Sequence, residues 1–341
     1  MKYSSVYPYY YPTTVTVVDD NRDFLVNFGL MFNEDVAYKL YHSPIKALQA
    51  LNNEDVSNPV SNQCLAPFYG VYDTSIQDNI ISVDVSKIQS VATDKNRFTE
   101  NAILIVDYDM PDMDGLQLCQ MINNKNIKKI MISGVADEKI AVDAFNRGII
   151  DKFILKNDKQ AISKINDCIY DFQNKYMHEK TTVLKNTLNI KAYGFLNDPG
   201  FIQYFFYLLE RMNVVEYYLV SNPAGFLLFT QSGDMHRLLV MDDDDMISQI
   251  EVISDQDGPF ELRDMIEKRD VLPCFFKTDG FYNSEISDWK SCIYPSHRIN
   301  SEHNYYVAVV ENVSGDEISE YYSYDNYIEY LDQNMINELA Q

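Results

Sequence analysis

Along the first half of the chain, short apolar runs alternate with stretches whose apolar residues recur every three or four positions. Every residue from Thr13 to Val18 is β-branched, which predicts a buried strand. The following segment spaces Phe24, Phe28, Leu25 and Leu30 at helical intervals, with Asn21 placed to cap it. A strand near 36–41 then precedes a helix near 43–52, where Ser43 is an N-cap candidate and Pro44 takes the first helical position. The alternation resumes with a strand at 102–106, a helix at 115–123 and a strand at 128–133. A helix at 137–147, stopped by Gly148, and a strand at 151–156 complete it. Strands that alternate with helices predict an α/β domain built on a doubly wound, five-stranded parallel sheet.

From Asp158 onward Ile162, Ile165, Ile169, Phe172 and Tyr176 step by three and four, a heptad-like stripe that predicts a long helix able to pair with a second copy as a homodimer. A helix over 198–213 follows. Three strand signals separated by turns come next, at 216–220, 226–231 and 235–242. Helices at 243–254 and 259–270, strands at 274–278 and 305–313, and a helical tail complete a pattern for an α+β domain on an antiparallel sheet. The linear division expected is therefore residues 1–157, a helical connector over 158–190, and the α+β domain over 191–341. About 54–99 forms an insertion in the first domain, long enough to fold as a flap or hairpin of its own.

The predicted parallel strands end in charge. Asp19 and Asp20, Asp107, Ser133 and Lys156 all fall at carboxyl ends, and in a doubly wound sheet those ends form one crevice. Like charges crowded there repel one another and lose water, so a bound cation or a reactive carboxylate is the reason to look for. A hard divalent cation, Mg²⁺, suits oxygen ligands of this kind and leaves room for waters and a phosphate. It would let one carboxylate act as a nucleophile toward phosphorus, with Ser133 and Lys156 binding the new phosphate oxygens. Asp112 and Asp114 are read instead as turn and helix-capping residues.

These residues resemble the receiver domain of two-component response regulators, a flavodoxin-like fold, over about residues 13–160. The resemblance rests on Asp19-Asp20 after the first strand, on "VDYDMPDMDG" at 106–115, on Ser133, on Phe153 at the switch-aromatic position and on Lys156. It implies that Asp107 accepts phosphate from a sensor histidine kinase or a phosphotransfer protein. Asp19, Asp20 and Asp107, with the backbone carbonyl of Asp109, would hold Mg²⁺. Ser133 and Phe153 would shift on phosphorylation and remodel the surface of the fourth helix, fifth strand and fifth helix. Two features depart from the family: Asn157 stands where proline follows the lysine, and the insertion lengthens the span between Asp20 and Asp107.

Composition narrows the output. The net charge is −23 over 341 residues, and residues 160–341 carry 13 basic against 30 acidic side chains, a balance that repels a phosphate backbone. No helix-turn-helix with a basic recognition helix can be placed, so DNA is not expected as a partner. No apolar run reaches the length of a membrane span and no basic-then-apolar leader opens the chain, so a cytoplasmic protein without a membrane partner is expected. The five cysteines lack close pairing and are read as reduced. "SGDEI" at 314–318 is set aside as a chance match to a cyclase loop, as is a metal site at His297, Glu302 and His303. This layout is similar to the quorum-sensing response regulators of Legionella-type bacteria. The chain is expected to be no enzyme beyond losing its own phosphate. The alternative is a phosphorylation-controlled enzyme acting on a nucleotide or small metabolite through the C-terminal domain.

Overall fold

The computed structural model describes residues 5–53, 64–67, 81–134, 138–188, 191–313 and 321–339. Contacts divide the chain into two compact units, one from Tyr11–Pro59, Lys95–Lys180 and Tyr322–Gln341, the other from Met1–Tyr10, Val60–Asp94 and Thr181–Tyr321. This division differs from the linear one expected from sequence. The ends of the chain are exchanged, and most of the insertion joins the second unit.

In the first unit five strands form a parallel sheet in the order Tyr38–Tyr41, Thr14–Val18, Asn101–Asp107, Lys128–Ser133, Lys152–Leu155. The three inner strands are buried along their whole length, which is why apolar and β-branched residues fill most of their positions without alternation. Asn21 caps the helix Arg22–Gly29 as its position foretold, accepting from the Phe24 amide at 3.0 Å. The helices Pro44–Asn53, Gly115–Met121 and Glu138–Asn146 follow their strands in turn. Gly148, at φ +66°, ends the last of these turns.

The long helix forms, over Ala161–Leu188, but its stripe is not free to pair. Ile165, Ile169, Phe172 and Tyr176 are all buried within the chain. Gln173 donates to the Thr13 carbonyl at 3.2 Å and Tyr170 to Asp35 at 2.8 Å, so this face covers the chain's own sheet. A homodimer through the stripe is therefore corrected: periodicity showed a buried face without showing what buries it. The helix Tyr324–Leu339 also belongs to this unit. The Tyr327 hydroxyl lies 2.7 Å from Thr14 Oγ1, Tyr324 bonds the Asp35 carbonyl at 2.9 Å, and both rings pack on Phe98.

The second unit holds a six-stranded antiparallel sheet in the order Tyr9–Tyr10, Val214–Val220, Gly225–Thr230, Met235–Met241, Asn304–Val310, His297–Asn300. On one face the helix Pro199–Arg211 packs Phe201 and Phe205 against Phe226. On the other, Met246, Ile253, Leu262 and Ile266 of the helices Asp243–Asp255 and Phe260–Glu267 pack against Leu239, Met241, Tyr306 and Ala308. Residues 274–278, expected to be a strand, instead enter a turn closed by the Gly280 amide on the Phe275 carbonyl. The strand at this point is Val271–Pro273, paired with Ile293–Pro295. Within the insertion Leu65–Pro67 pairs antiparallel with Ile81–Val83, and the helix Ser86–Val91 contacts the strand Val214–Val220. Among the described residues no helix is long and apolar enough to cross a membrane, and the five cysteines form no disulfide.

Because Ile169 is fully buried, Ile169→Ala should cost about 2–5 kcal/mol. Val183→Ala, on the same helix but 58% exposed, should cost little. Urea midpoints measure both, and an Ile169→Ala midpoint equal to wild type would return the stripe to intermolecular use.

Candidate functional site

The strand order reverses between Thr14–Val18 and Asn101–Asp107, and the carboxylates stand at that switch point. Asp19 follows the first strand, Asp107 is the last residue of the central one, and carboxylate oxygens of Asp19, Asp20 and Asp107 lie within 4.8 Å of one another. Asp19 and Asp107 are buried whereas Asp20 is exposed. The turn that starts the first helix also fixes Asp19, whose Oδ1 accepts from the Asn21 amide at 2.9 Å. Lys156, just beyond the last parallel strand, reaches both buried carboxylates: its Nζ is 2.6 Å from Asp19 Oδ2 and 3.0 Å from Asp107 Oδ1. The same ammonium sits 4.5 Å from the centroid of the Phe24 ring, a cation–π contact that the sequence reading did not include.

Backbone contacts tie down the loop that follows Asp107. The Tyr108 amide donates to the Ile132 carbonyl at 2.9 Å, and the Gly115 amide returns to the Tyr108 carbonyl at 3.0 Å. A Cβ on residue 115 would stand 2.3 Å from the Asp107 carbonyl oxygen, so the close approach requires glycine. Asp114 forms a capping box with Gln117 for the helix that starts there, as its position suggested. Asp109 is exposed and Met110 buried, so the loop turns its apolar residue inward and its charged one outward.

Ser133 is buried at the end of its strand, and its carbonyl accepts from the Lys156 amide at 2.8 Å, tying the two strand ends together. The one cis peptide bond among the described residues is Asn222–Pro223, so the bond from Lys156 to Asn157 is trans. The departure at Asn157 therefore leaves the lysine within reach of both carboxylates. Phe153 is half-buried, pairs in register with Met131, and packs on the core that contains Val106 and Ala144. His297, Glu302 and His303 form no such cluster; among the described residues the three aspartates alone are grouped closely enough to hold a metal ion. The segment 314–318 lies outside the described residues.

Burial raises the pKa of Asp107 above the ordinary carboxylate value, with the hydrogen bond from Lys156 only partly offsetting it. Lys156 is pushed the other way by burial, but its hydrogen bonds to Asp19 and Asp107 prevail and hold its ammonium above the usual lysine range. Three carboxylates thus face one ammonium. The uncompensated negative charge and the all-oxygen donor set fit a hard divalent cation such as Mg²⁺, for which one or two carboxylates plus water and phosphate are typical ligands.

The family described as "Response regulator receiver domain" matches residues 68–166. The structure of the Legionella pneumophila response regulator LqsR is 30% identical in sequence, with 97% of this chain and 98% of that one covered and a TM-score of 0.75. An uncharacterized transcriptional regulatory protein of Bacillus subtilis (strain 168), YesN, is 32% identical over 92 residues, which are 26% of this chain and 25% of that relative. The chain thus matches a quarter of the length of this curated relative.

The pKa of Asp107 carries a stability consequence. A carboxyl whose folded pKa is raised contributes stability that is fully present below the unfolded value and is lost as pH rises through the folded one. Asp107→Asn, which keeps the neutral shape, should raise Tm at neutral pH in the absence of divalent cations. The gain should vanish as pH falls below the ordinary carboxylate range, and a thermal melt series that shows no gain at neutral pH would contradict it.

Proposed function

Since this chain belongs to the two-component response regulators and carries their receiver domain, we propose that Asp107 is its phosphoacceptor. The observation that carries this reading is the Asp107 carboxylate at the sheet's switch point, 3.0 Å from the Lys156 ammonium and grouped with Asp19 and Asp20. In the reaction one Asp107 oxygen attacks the phosphorus of a phosphohistidine on a sensor kinase or phosphotransfer protein. The new O–P bond forms as the N–P bond breaks in line, and the imidazole departs and takes up a proton. Asp19, Asp20 and Asp107, with the Asp109 carbonyl, are the residues that would hold Mg²⁺, which would supply charge neutralisation between nucleophile and phosphoryl oxygens.

Lys156 is close enough to follow the charge as it passes from the carboxylate to the phosphoryl oxygens, and Ser133, on the neighbouring strand end, supplies a hydroxyl to the same group. Engagement of Ser133 biases Phe153 between two positions, and so alters the surface of the helix Glu138–Asn146. Val142 and Phe145 are each 57% exposed on that helix. We assign signalling by dimerisation to this face, because the stripe of the long helix is buried. The acidic balance of residues 160–341 supports an output that engages no DNA. Likeness to the Legionella regulator over nearly the whole chain supports the resemblance to quorum-sensing regulators seen in the layout.

Intact mass after incubation with acetyl phosphate and Mg²⁺ tests the proposal. One phosphoryl group should add to wild type and none to Asp107→Asn. Lys156→Ala should bind Mg²⁺ yet lose most of the adduct. An adduct that persists in Asp107→Asn would move the phosphoacceptor elsewhere.

A further inference from the structure

The helix Arg22–Gly29 sets an aromatic stack beside the acidic crevice. Helical spacing places Phe24 and Phe28 on one face, where their rings stack at 5.1 Å with 22° between the planes. Phe28 meets Phe32, just past the helix, edge-on at 5.2 Å, and Phe32 meets Tyr38 of the edge strand at 5.1 Å. Phe24 is the end of this stack nearest the phosphoacceptor, and the Lys156 ammonium lies over its ring, 4.5 Å from the centroid.

Lys156 has reason to need that support. Its flexible four-carbon stem borders a cavity of about 210 Å³ walled by Phe24, Phe28, Ile154, Ile162 and Ile165, so apolar space lies beside it. Asn157, where the family has proline, adds no ring constraint to the backbone that follows. Asp158 lines the same cavity and is an anion able to draw the ammonium away, but its carboxylate is engaged by Lys164 at 2.6 Å and by the Gln160 amide at 2.9 Å. Asp19 at 2.6 Å and Asp107 at 3.0 Å occupy two of the three ammonium protons. A carboxylate or amide in the place of Phe24 would claim the third. The face of a benzene ring attracts the charge without being a directed acceptor, so the third proton remains for another oxygen.

We propose that Phe24 is a positioning residue for phosphoryl transfer: its ring keeps the Lys156 ammonium at the crevice while leaving one of its protons for an entering phosphoryl oxygen. This rests on Asp107 as the phosphoacceptor and adds to it a residue that acts through Lys156. As negative charge passes from Asp107 to the phosphoryl group, the hydrogen bonds on the ammonium redistribute. The non-directional ring contact persists throughout, so the lysine need not be recaptured from solvent at each turnover.

Fluorinated phenylalanines at residue 24 test the proposal, because successive fluorines drain the negative face of the ring with little change in its size. The donor is acetyl phosphate with Mg²⁺; the Asp107 O–P bond forms as the acetyl O–P bond breaks, and acetate departs. The initial rate, read by intact mass, should fall stepwise from phenylalanine through mono- to trifluorophenylalanine, roughly fivefold in all, with urea midpoints level across the series. Phe24→Leu should lose at least as much, and Phe24→Tyr should restore the wild-type rate. In the unphosphorylated protein the ring current should shift the Lys156 ammonium protons upfield, and Phe24→Leu should abolish that shift. A rate unchanged along the fluorinated series, or an ammonium resonance that Phe24→Leu leaves in place, would overturn the role of Phe24 while Asp107 stands as phosphoacceptor. Phosphate carried by a residue other than Asp107 would overturn both.

Discussion

One ammonium shared between two buried carboxylates organises the first unit. Removing a carboxylate from water costs several kcal/mol, and two facing each other cannot both remain charged without a counterion. Lys156 supplies it, from the far edge of the sheet, to Asp19 and Asp107 on neighbouring inner strands. The contact exists only if those strand ends come together, so it depends on the parallel order and in turn helps to specify it. It is also incomplete, because Asp20 adds a third carboxylate to the pair that this one ammonium serves. A site arranged for stability alone would hold fewer acids; one arranged to take up a divalent ion and a phosphoryl group gains from the imbalance.

The backbone around the charges is as specific as the charges themselves. The loop from Asp107 to the next helix must bring the Gly115 backbone against the Asp107 carbonyl, and only a residue without a side chain allows it. The Asp114 capping box then fixes where that helix begins. The Asp-Gly pair at 114–115 is therefore explained by backbone geometry, and Asp107 by chemistry, although all lie within one acidic run.

The five parallel strands and the aspartates were legible in the sequence because each leaves a local signal: β-branched runs, and charge placed where a strand stops. What remained hidden was non-local. The stripe from Ile165 to Tyr176 announced a buried face, but a period of three and four is the same whether the cover is a second copy or the chain's own sheet. The run 274–278 has strand-like composition, yet Phe275 is needed in the core and the chain turns at Thr278–Gly280, so packing overrode propensity. The strand Tyr9–Tyr10 is two residues long and carries no periodicity at all; its pairing with Tyr217 and Tyr218 could be found only in three dimensions. Phe24 beneath Lys156 read simply as a helix-face aromatic.

The exchange of chain ends has a physical consequence for what counts as a domain here. Thr14 and Tyr327 are bonded across 313 residues, and Phe98 is buried beneath Tyr324 and Tyr327. Closing so long a loop is affordable, since each doubling of length adds only about 0.6 kcal/mol, but the contacts that repay it must then be strong and late. The parallel sheet consequently does not end as a folded object at residue 157. Cut there, it would lose the long helix, whose own Ile165 and Ile169 are buried, together with the helix that covers Phe98, leaving the apolar surfaces they pack on exposed to water. Asp107 lies in a unit whose core is completed by Tyr324 and Tyr327. The stability of that unit therefore depends on residues as far apart in the sequence as Thr14 and Tyr327.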